Sequence, residues 1–323
     1  MSSETGLLHA YLLDGKGGAA PLDWAGVDRW QPNDGVLWLG LDYHAADVTS
    51  WLAERSRIDP LIRDALLDDD PRPRALAHDD DLLLVVRGIN QNKGAEPEDM
   101  ISVRIWIEPS RVVTLRHRLS KSLESIATET ARGRGPRSAG ELVARLVDRI
   151  VEHISTRVDL LSDDIAAAEA QALIETRGEL RAQLAEQRRR AIALRRFLAP
   201  QREALGKLAQ IDLPWLAPHR TWIAETADRM TRSVEELDAV RDRAAVTQEE
   251  LASRFAEMTN HRLYFLSIVT SVFLPLGFVC SLLGVNVGGV PLQHDDWAFW
   301  ALCAVFGFAI GVQLWLFRRR GWF

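Results

Sequence analysis

The chain has 323 residues and a net charge of −6 at pH 7, enough length for two cores and too little basic surplus for a nucleic-acid footprint. Its two cysteines, Cys280 and Cys303, form no CxxC pair, which excludes a disulfide framework or a thiolate zinc site. No Walker-type phosphate loop and no nucleophile–base set occurs, so neither ATP-driven pumping nor enzymatic catalysis is supported.

In chain order, strand-like runs fall at Leu7–Leu13, Val36–Leu41, Leu82–Ile89, Met100–Ile107 and Arg111–Leu115, rich in Val, Ile, Leu and Trp and punctuated by Gly, Pro, Asn and Asp. The first is too short, and carries His9, to read as a signal peptide. Helical stretches are expected at Ala45–Arg55 and Leu61–Leu67. Ile101, Val103, Ile105 and Ile107 alternate with Ser102, Arg104 and Trp106, which predicts a strand with one buried face. From Ser138 the pattern is helical: Leu142, Leu146, Arg149 or Ile150, His153, and Arg157 or Val158 track one stripe of a long helix. A second long helix is expected near Glu179–Gln201, ending around Pro200, with a break at Leu213–Pro218.

The next helix carries a heptad seam, Met230, Val234, Leu237, Arg241, Ala244, Gln248, Leu251, Phe255 and Met258. No Gly or Pro occurs from Thr221 through Leu274, so this stalk is expected to run on into the following apolar segment, the alternative being a break near Asn260. Leu263–Leu283 and Trp297–Phe317 are each 21 residues without a charge, about 30 Å of helix and the thickness of a bilayer core. Arg254, His261 and Arg262 precede the first span, Arg318–Arg320 follow the second, and the link between them holds no Lys or Arg. The positive-inside rule therefore places both ends in the cytoplasm, and Tyr264, Trp297, Trp300, Trp315 and Trp322 suit an aromatic belt. The cysteines read as small apolar residues in helix packing, as do Gly307 and Gly311. Pro275 should bend the first span.

The link opens with Gly284-Val285-Asn286, embedded in FLPLGFVCSLLGVNVGGVP. In this motif, and in the segment LLDDDPRPRALAHDDDLLLVVRGINQNKGAEPEDMISVRIWIEPSRVVTLRHR, the chain resembles the CorA-type metal-ion transporter superfamily and, within it, the ZntB zinc-transporter branch. The superfamily carries Gly-Met-Asn at the outer end of the first span, and Val in place of Met is what that branch shows. The resemblance covers nearly the whole chain. It implies a funnel-shaped homopentamer in a bacterial inner membrane that moves zinc, by proton-coupled uptake or, in the opposite sense, by efflux. The fold expected is thus an α+β cytoplasmic domain, a mixed sheet with helices and a long stalk helix, plus an all-α two-helix transmembrane hairpin. The divisions are 1–136 for the α/β part, 137–262 for the long helices, 263–283 and 297–317 for the spans, 284–296 for the periplasmic loop and 318–323 for a basic tail. The partners expected are copies of the chain, the bilayer, divalent cations and protons; no resident cofactor is expected, zinc being cargo.

The resemblance also places the pathway. Stepping back from Asn286 at helical spacing gives Gly277, Leu274, Thr270, Leu266, Leu263 and Asn260, and this line matches the family's pore-facing positions. Glu257, Ser253 and Glu250 continue it as an acidic exit or as an ordinary solvated face. The leucines would gate by dewetting, and the Asn286 amide oxygens would hold a hydrated divalent ion through its waters. Gly284, Gly288 and Gly289 serve the turn, with Gly284, Val285 and Asn286 as the metal-facing mouth. His294, Asp295 and Asp296 would attract cations, while the two aspartates equally suit a cap on the second span. Neither span carries a charge or a histidine, so proton coupling would fall to His294, Asp295, Asp296, His261 or Glu257.

Two competing readings stay open: a passive Mg²⁺/Co²⁺ channel, and a membrane-anchored cation sensor or scaffold that conducts nothing. Asp68–Asp70 and Asp79–Asp81 read as turn and capping residues rather than a metal patch. Arg188–Arg190, Arg195 and Arg196 are expected to pair with acidic stripes on neighbouring helices.

Overall fold

A computed structural model describes residues 5–174, 178–284, 295 and 297–319. It divides into two compact units, Met1–Glu249 and Glu250–Phe323.

The first unit is built on a seven-stranded sheet. Its strands are β1 (Leu7–Leu13), β2 (Ala19–Pro21), β3 (Val36–Asp42), β4 (Arg74–His78), β5 (Asp81–Gly88), β6 (Ile101–Glu108) and β7 (Arg111–Arg116). Their order is β2-β1-β3-β7-β6-β5-β4, antiparallel except for the parallel pair β3–β7. That single parallel pair makes the sheet mixed, and it requires a crossover connection. Four short helices accompany the sheet: α1 (Trp24–Arg29), α2 (Ala46–Glu54), α3 (Pro60–Leu67) and α4 (Lys121–Ala131). Asp59 caps α3 by accepting from the Leu61 N–H at 2.8 Å, with Pro60 at the first helical position where no donor is missed.

The five strand-like runs of the sequence all become strands. The expectation of one buried face on β6 needs correction, because both faces are buried. Leu39, Leu41, Leu83, Val85, Trp106, Val113 and Leu115 pack with Val48, Trp51 and Leu52 of α2 and Ile62 and Leu66 of α3. On the other face Trp38, Leu84, Val103, Ile105 and Val112 are equally enclosed. Arg104 is fully buried on the α3 side. Its Nη1 donates to the Leu66 carbonyl at 2.7 Å, and its guanidinium lies 3.9 Å from the centre of the Tyr43 ring.

Two long helices follow, α5 (Ala139–Ile174) and α6 (Gly178–Gln210). The expected end of α6 at Pro200 is also corrected: the helix continues to Gln210 with Pro200 inside it. Leu194, Leu198, Ala204, Leu205 and Leu208 are buried on both sides of the proline. The adjoining Gln201 is enclosed, and its Oε1 accepts from the Arg87 N–H of β5 at 2.6 Å. Packing and this bond offset one lost helical hydrogen bond.

After the expected break and a short 3-10 turn at Ala217–His219, one helix, α7, runs from Arg220 to Leu283. Met230, Val234, Leu237, Ala244 and Leu251 of the heptad seam are buried, whereas Phe255 and Met258 are exposed. Ser155 of α5 meets Ser233 of α7 at 3.0 Å, and Arg195 of α6 pairs with Asp238 of α7 at 2.5 Å. Arg189 and Arg190 differ from expectation in bonding Glu186 of their own helix, although Arg190 also approaches Glu96. Asp79 stands at φ 52° in the β4–β5 turn, and Asp68 accepts from the Asp70 N–H, so these aspartates do serve turns.

The second unit holds the C-terminal part of α7 and one further helix, α8 (Ala298–Arg319). Both are long and apolar enough to cross a membrane.

Candidate functional site

The chemistry-bearing residues of the second unit sit on α7, and the way α7 meets α8 decides which face they occupy. Tyr264, Ile268, Val272, Leu276 and Val279 recur in steps of four and three, and each is at least partly covered. On α8, Ala298, Leu302, Phe306, Ile310, Gln313 and Phe317 recur in the same way and are likewise partly covered. These are the two stripes a pair of packed helices presents. A polar contact ties them together: the Gln313 Nε2 donates to both the backbone O and the Oγ of Ser271, each at 2.9 Å. Two donated bonds from one amide matter in hydrocarbon, where no water could take their place.

At 100° per residue, Asn260, Leu263, Leu266, Thr270, Leu274 and Gly277 lie on the side of α7 roughly opposite this contact stripe. All six are exposed in the single chain. The Thr270 hydroxyl donates to the Leu266 carbonyl at 2.8 Å, which spends its proton on its own helix and leaves oxygen lone pairs facing out. Nothing approaches the position a Cβ would take on Gly277. Below this line Glu257, Ser253 and Glu250 are exposed as well. The expected line is therefore a continuous uncovered stripe that begins in carboxylates, passes an amide, and becomes apolar.

At the far end the Gly284 N–H donates to the Cys280 carbonyl at 3.0 Å and closes the last turn of α7. The Asp295 carbonyl accepts from Ala298 N–H at 3.0 Å at the start of α8, a position consistent with the capping role. Val285, Asn286, Gly288, Gly289, His294, Asp296, Arg320 and Trp322 lie outside the described residues. Cys280 and Cys303 are free and exposed rather than packed within the hairpin.

The family described as "CorA-like Mg2+ transporter protein" matches residues 33–319. A "Divalent cation transporter CmaX" of Pseudomonas aeruginosa is 36% identical, over 99% of this chain and 97% of its own length. A "Zinc transport protein ZntB" of Yersinia enterocolitica is 33% identical, over 96% and 94%. The solved structure of the full-length CmaX protein superposes with a TM-score of 0.86 at 34% identity and covers 99% of both chains. The complete CorA magnesium transporter of Methanocaldococcus jannaschii shares the fold, with a TM-score of 0.77 at 18% identity, over 97% and 98%.

Proposed function

Since the chain belongs to the CorA-like Mg²⁺ transporter family, we propose that it carries divalent cations across a membrane and that zinc is its cargo. Similarity to a protein named as a divalent cation transporter, and to others named as zinc transport proteins, supports this reading. The observation that carries it is the uncovered stripe on α7, from Glu250 to Gly277, on the side away from α8.

One hairpin cannot surround an ion. Several identical chains must turn this stripe toward a common axis, which makes a cyclic oligomer, and the family resemblance makes it a homopentamer. The chain then sits in a bacterial inner membrane with both ends in the cytoplasm, as the arginines flanking the spans favour.

Asn286, with Gly284 and Val285, receives a hydrated ion at the outer mouth through amide and carbonyl oxygens. Such neutral ligands hold weakly enough to release. His294, Asp295 and Asp296 raise the local cation concentration. Leu274, Leu266 and Leu263 then form apolar rings that water leaves and refills, with Thr270 as a polar step between them. Asn260 marks the inner end, and Glu257, Ser253 and Glu250 draw the ion onward. Uptake is coupled to protons through groups at the ends of the pathway, His294, Asp295, Asp296, His261 or Glu257, since neither span carries a charge or a histidine.

The test is zinc uptake into proteoliposomes loaded with a zinc-sensitive dye. Uptake that accelerates with external acid and is lost in Asn286→Ala supports a proton-coupled importer. Uptake indifferent to pH but driven by voltage replaces it with a channel. Absence of any flux leaves a sensor or scaffold in its place.

A further inference from the structure

The parallel pairing of β3 and β7 sets Asp42 opposite Arg116, so the two strands finish at the same edge of the sheet. His44 lies in the turn that follows β3, and His117 directly follows β7. Residues 73 positions apart in the chain are thereby brought together.

The Asp42 Oδ1 accepts from the His44 N–H at 3.0 Å, which pins the carboxylate over the turn. The same oxygen stands 3.4 Å from the Nδ1 of His117. The two imidazoles face one another with ring centres 3.9 Å apart and planes inclined by 38°. One nitrogen from each ring and one carboxylate oxygen all lie within 4.8 Å of each other. Among the described residues no other trio of His, Cys, Asp or Glu meets that spacing.

The distance from His117 to Asp42 suits a shared ion better than a hydrogen bond, and the two exposed rings would open from 3.9 Å to about 5 Å between centres to hold that ion together. A separation of 3.4 Å is long for a hydrogen bond between a ring nitrogen and a carboxylate. Around a tetrahedral zinc with bonds of about 2.0–2.2 Å, neighbouring ligand atoms stand about 3.3–3.6 Å apart. The separation of His117 Nδ1 from Asp42 Oδ1 therefore matches one edge of such a tetrahedron. Two imidazole nitrogens and one carboxylate oxygen suit Zn²⁺ or Co²⁺, whereas Mg²⁺ prefers oxygen ligands in octahedral array. Of the neighbouring positive charges, Arg118 pairs with Asp99.

We infer that Asp42, His44 and His117 form a transition-metal site on the soluble domain, remote in sequence from the transport pathway and independent of the transport reading. A bound ion would join the end of β3, the turn leading into α2, and the end of β7. Water would fill its remaining coordination position.

The test uses the purified full-length chain in detergent, titrated with Co²⁺ and then with Zn²⁺ against a chromophoric chelator. One equivalent of Co²⁺ per chain is expected to give the intense visible absorption of tetrahedral cobalt, and Zn²⁺ to displace it. The exposed His44 and His117 contribute no core packing, so the double variant His44→Ala/His117→Ala should keep the folded protein's circular dichroism while losing the band. Each single variant should bind Zn²⁺ at least about tenfold more weakly. Asn286→Ala should keep the band whether or not transport fails, which separates this site from the pathway. The inference is overturned if the wild-type chain takes up no such equivalent, or if the double variant binds with unchanged spectrum and affinity.

Discussion

The imidazole of His9 lies over the Cα of Gly40, its partner across the β1–β3 pair. A Cβ at residue 40 would come within 2.5 Å of the His9 Nδ1 and 2.6 Å of its Nε2. The ring is held there edge-on to Trp38 at 4.5 Å and stacked on Tyr11 at 5.2 Å, so yielding to a Cβ would disturb both contacts.

Gly40→Ala is accordingly expected to destabilise the soluble domain by about 1–3 kcal/mol, the usual cost of overpacking. The measurement is the thermal midpoint of the purified chain. Adding His9→Ala should restore much of the loss, because it removes the atoms in conflict. Equal loss in the single and double variants would place the strain elsewhere.

Burial, and then the positive charge of Arg116, lower the His9 pKa from 6.5 to about 4. The unfolded chain therefore binds a proton at this residue as pH falls below 6.5, while the folded chain resists until about 4. Stability at this site is present above 6.5 and lost progressively through that window, by about 3 kcal/mol at most. Asp81 acts in the opposite direction, since burial and Glu108 raise its pKa from 3.8 to about 6 and the folded state there favours the proton. The comparison that isolates His9 is wild type against His9→Phe, measured from pH 7 to pH 4. The variant should show the shallower decline, and parallel curves would dismiss the assignment.

Within the hairpin, Gln313→Leu removes both bonds to Ser271 and should weaken the α7–α8 contact by about 0.6–1.7 kcal/mol. Ser271→Ala should cost less, because the backbone carbonyl still accepts. Unfolding in mixed detergent micelles, followed by intrinsic fluorescence, would rank the two. The reverse ranking would mean that the hydroxyl, not the carbonyl, is the principal acceptor.

If Leu274 forms an apolar ring, Leu274→Asn should hydrate it and raise resting zinc leak into proteoliposomes several-fold. Phe278→Asn, at another exposed position of the same helix, serves as the comparison. A leak that rises equally in both would reflect general damage to the hairpin rather than an opened gate.

Much of this architecture follows from local composition. Runs of branched residues marked the five principal strands, and two long uncharged runs marked α8 and the end of α7, because length and apolarity alone decide whether a helix suits a bilayer. The continuity of α7 was legible from the absence of Gly and Pro over more than fifty residues. β2 and β4 were not legible: one is three residues long and the other is largely exposed, so neither carries a periodic apolar signal.

Other features depended on contacts between distant segments. Arg104 looked solvent-facing by alternation, yet α3 covers that face and supplies a carbonyl. Pro200 reads locally as a helix end, but buried neighbours and the Gln201 bond to β5 carry the helix through it. The exposed stripe on α7 was inferred from family likeness, and the Ser271–Gln313 contact supplies its orientation relative to α8. His44 and His117 carried no motif at all, because no spacing rule links residues so far apart. The sequence by itself determined which segments are strands, stalk and membrane helices, since those depend on periodicity and transfer energy along the chain. Only the tertiary structure decided which faces are covered and which side chains meet, because one parallel strand pair and one helix contact join residues that local patterns treat as unrelated.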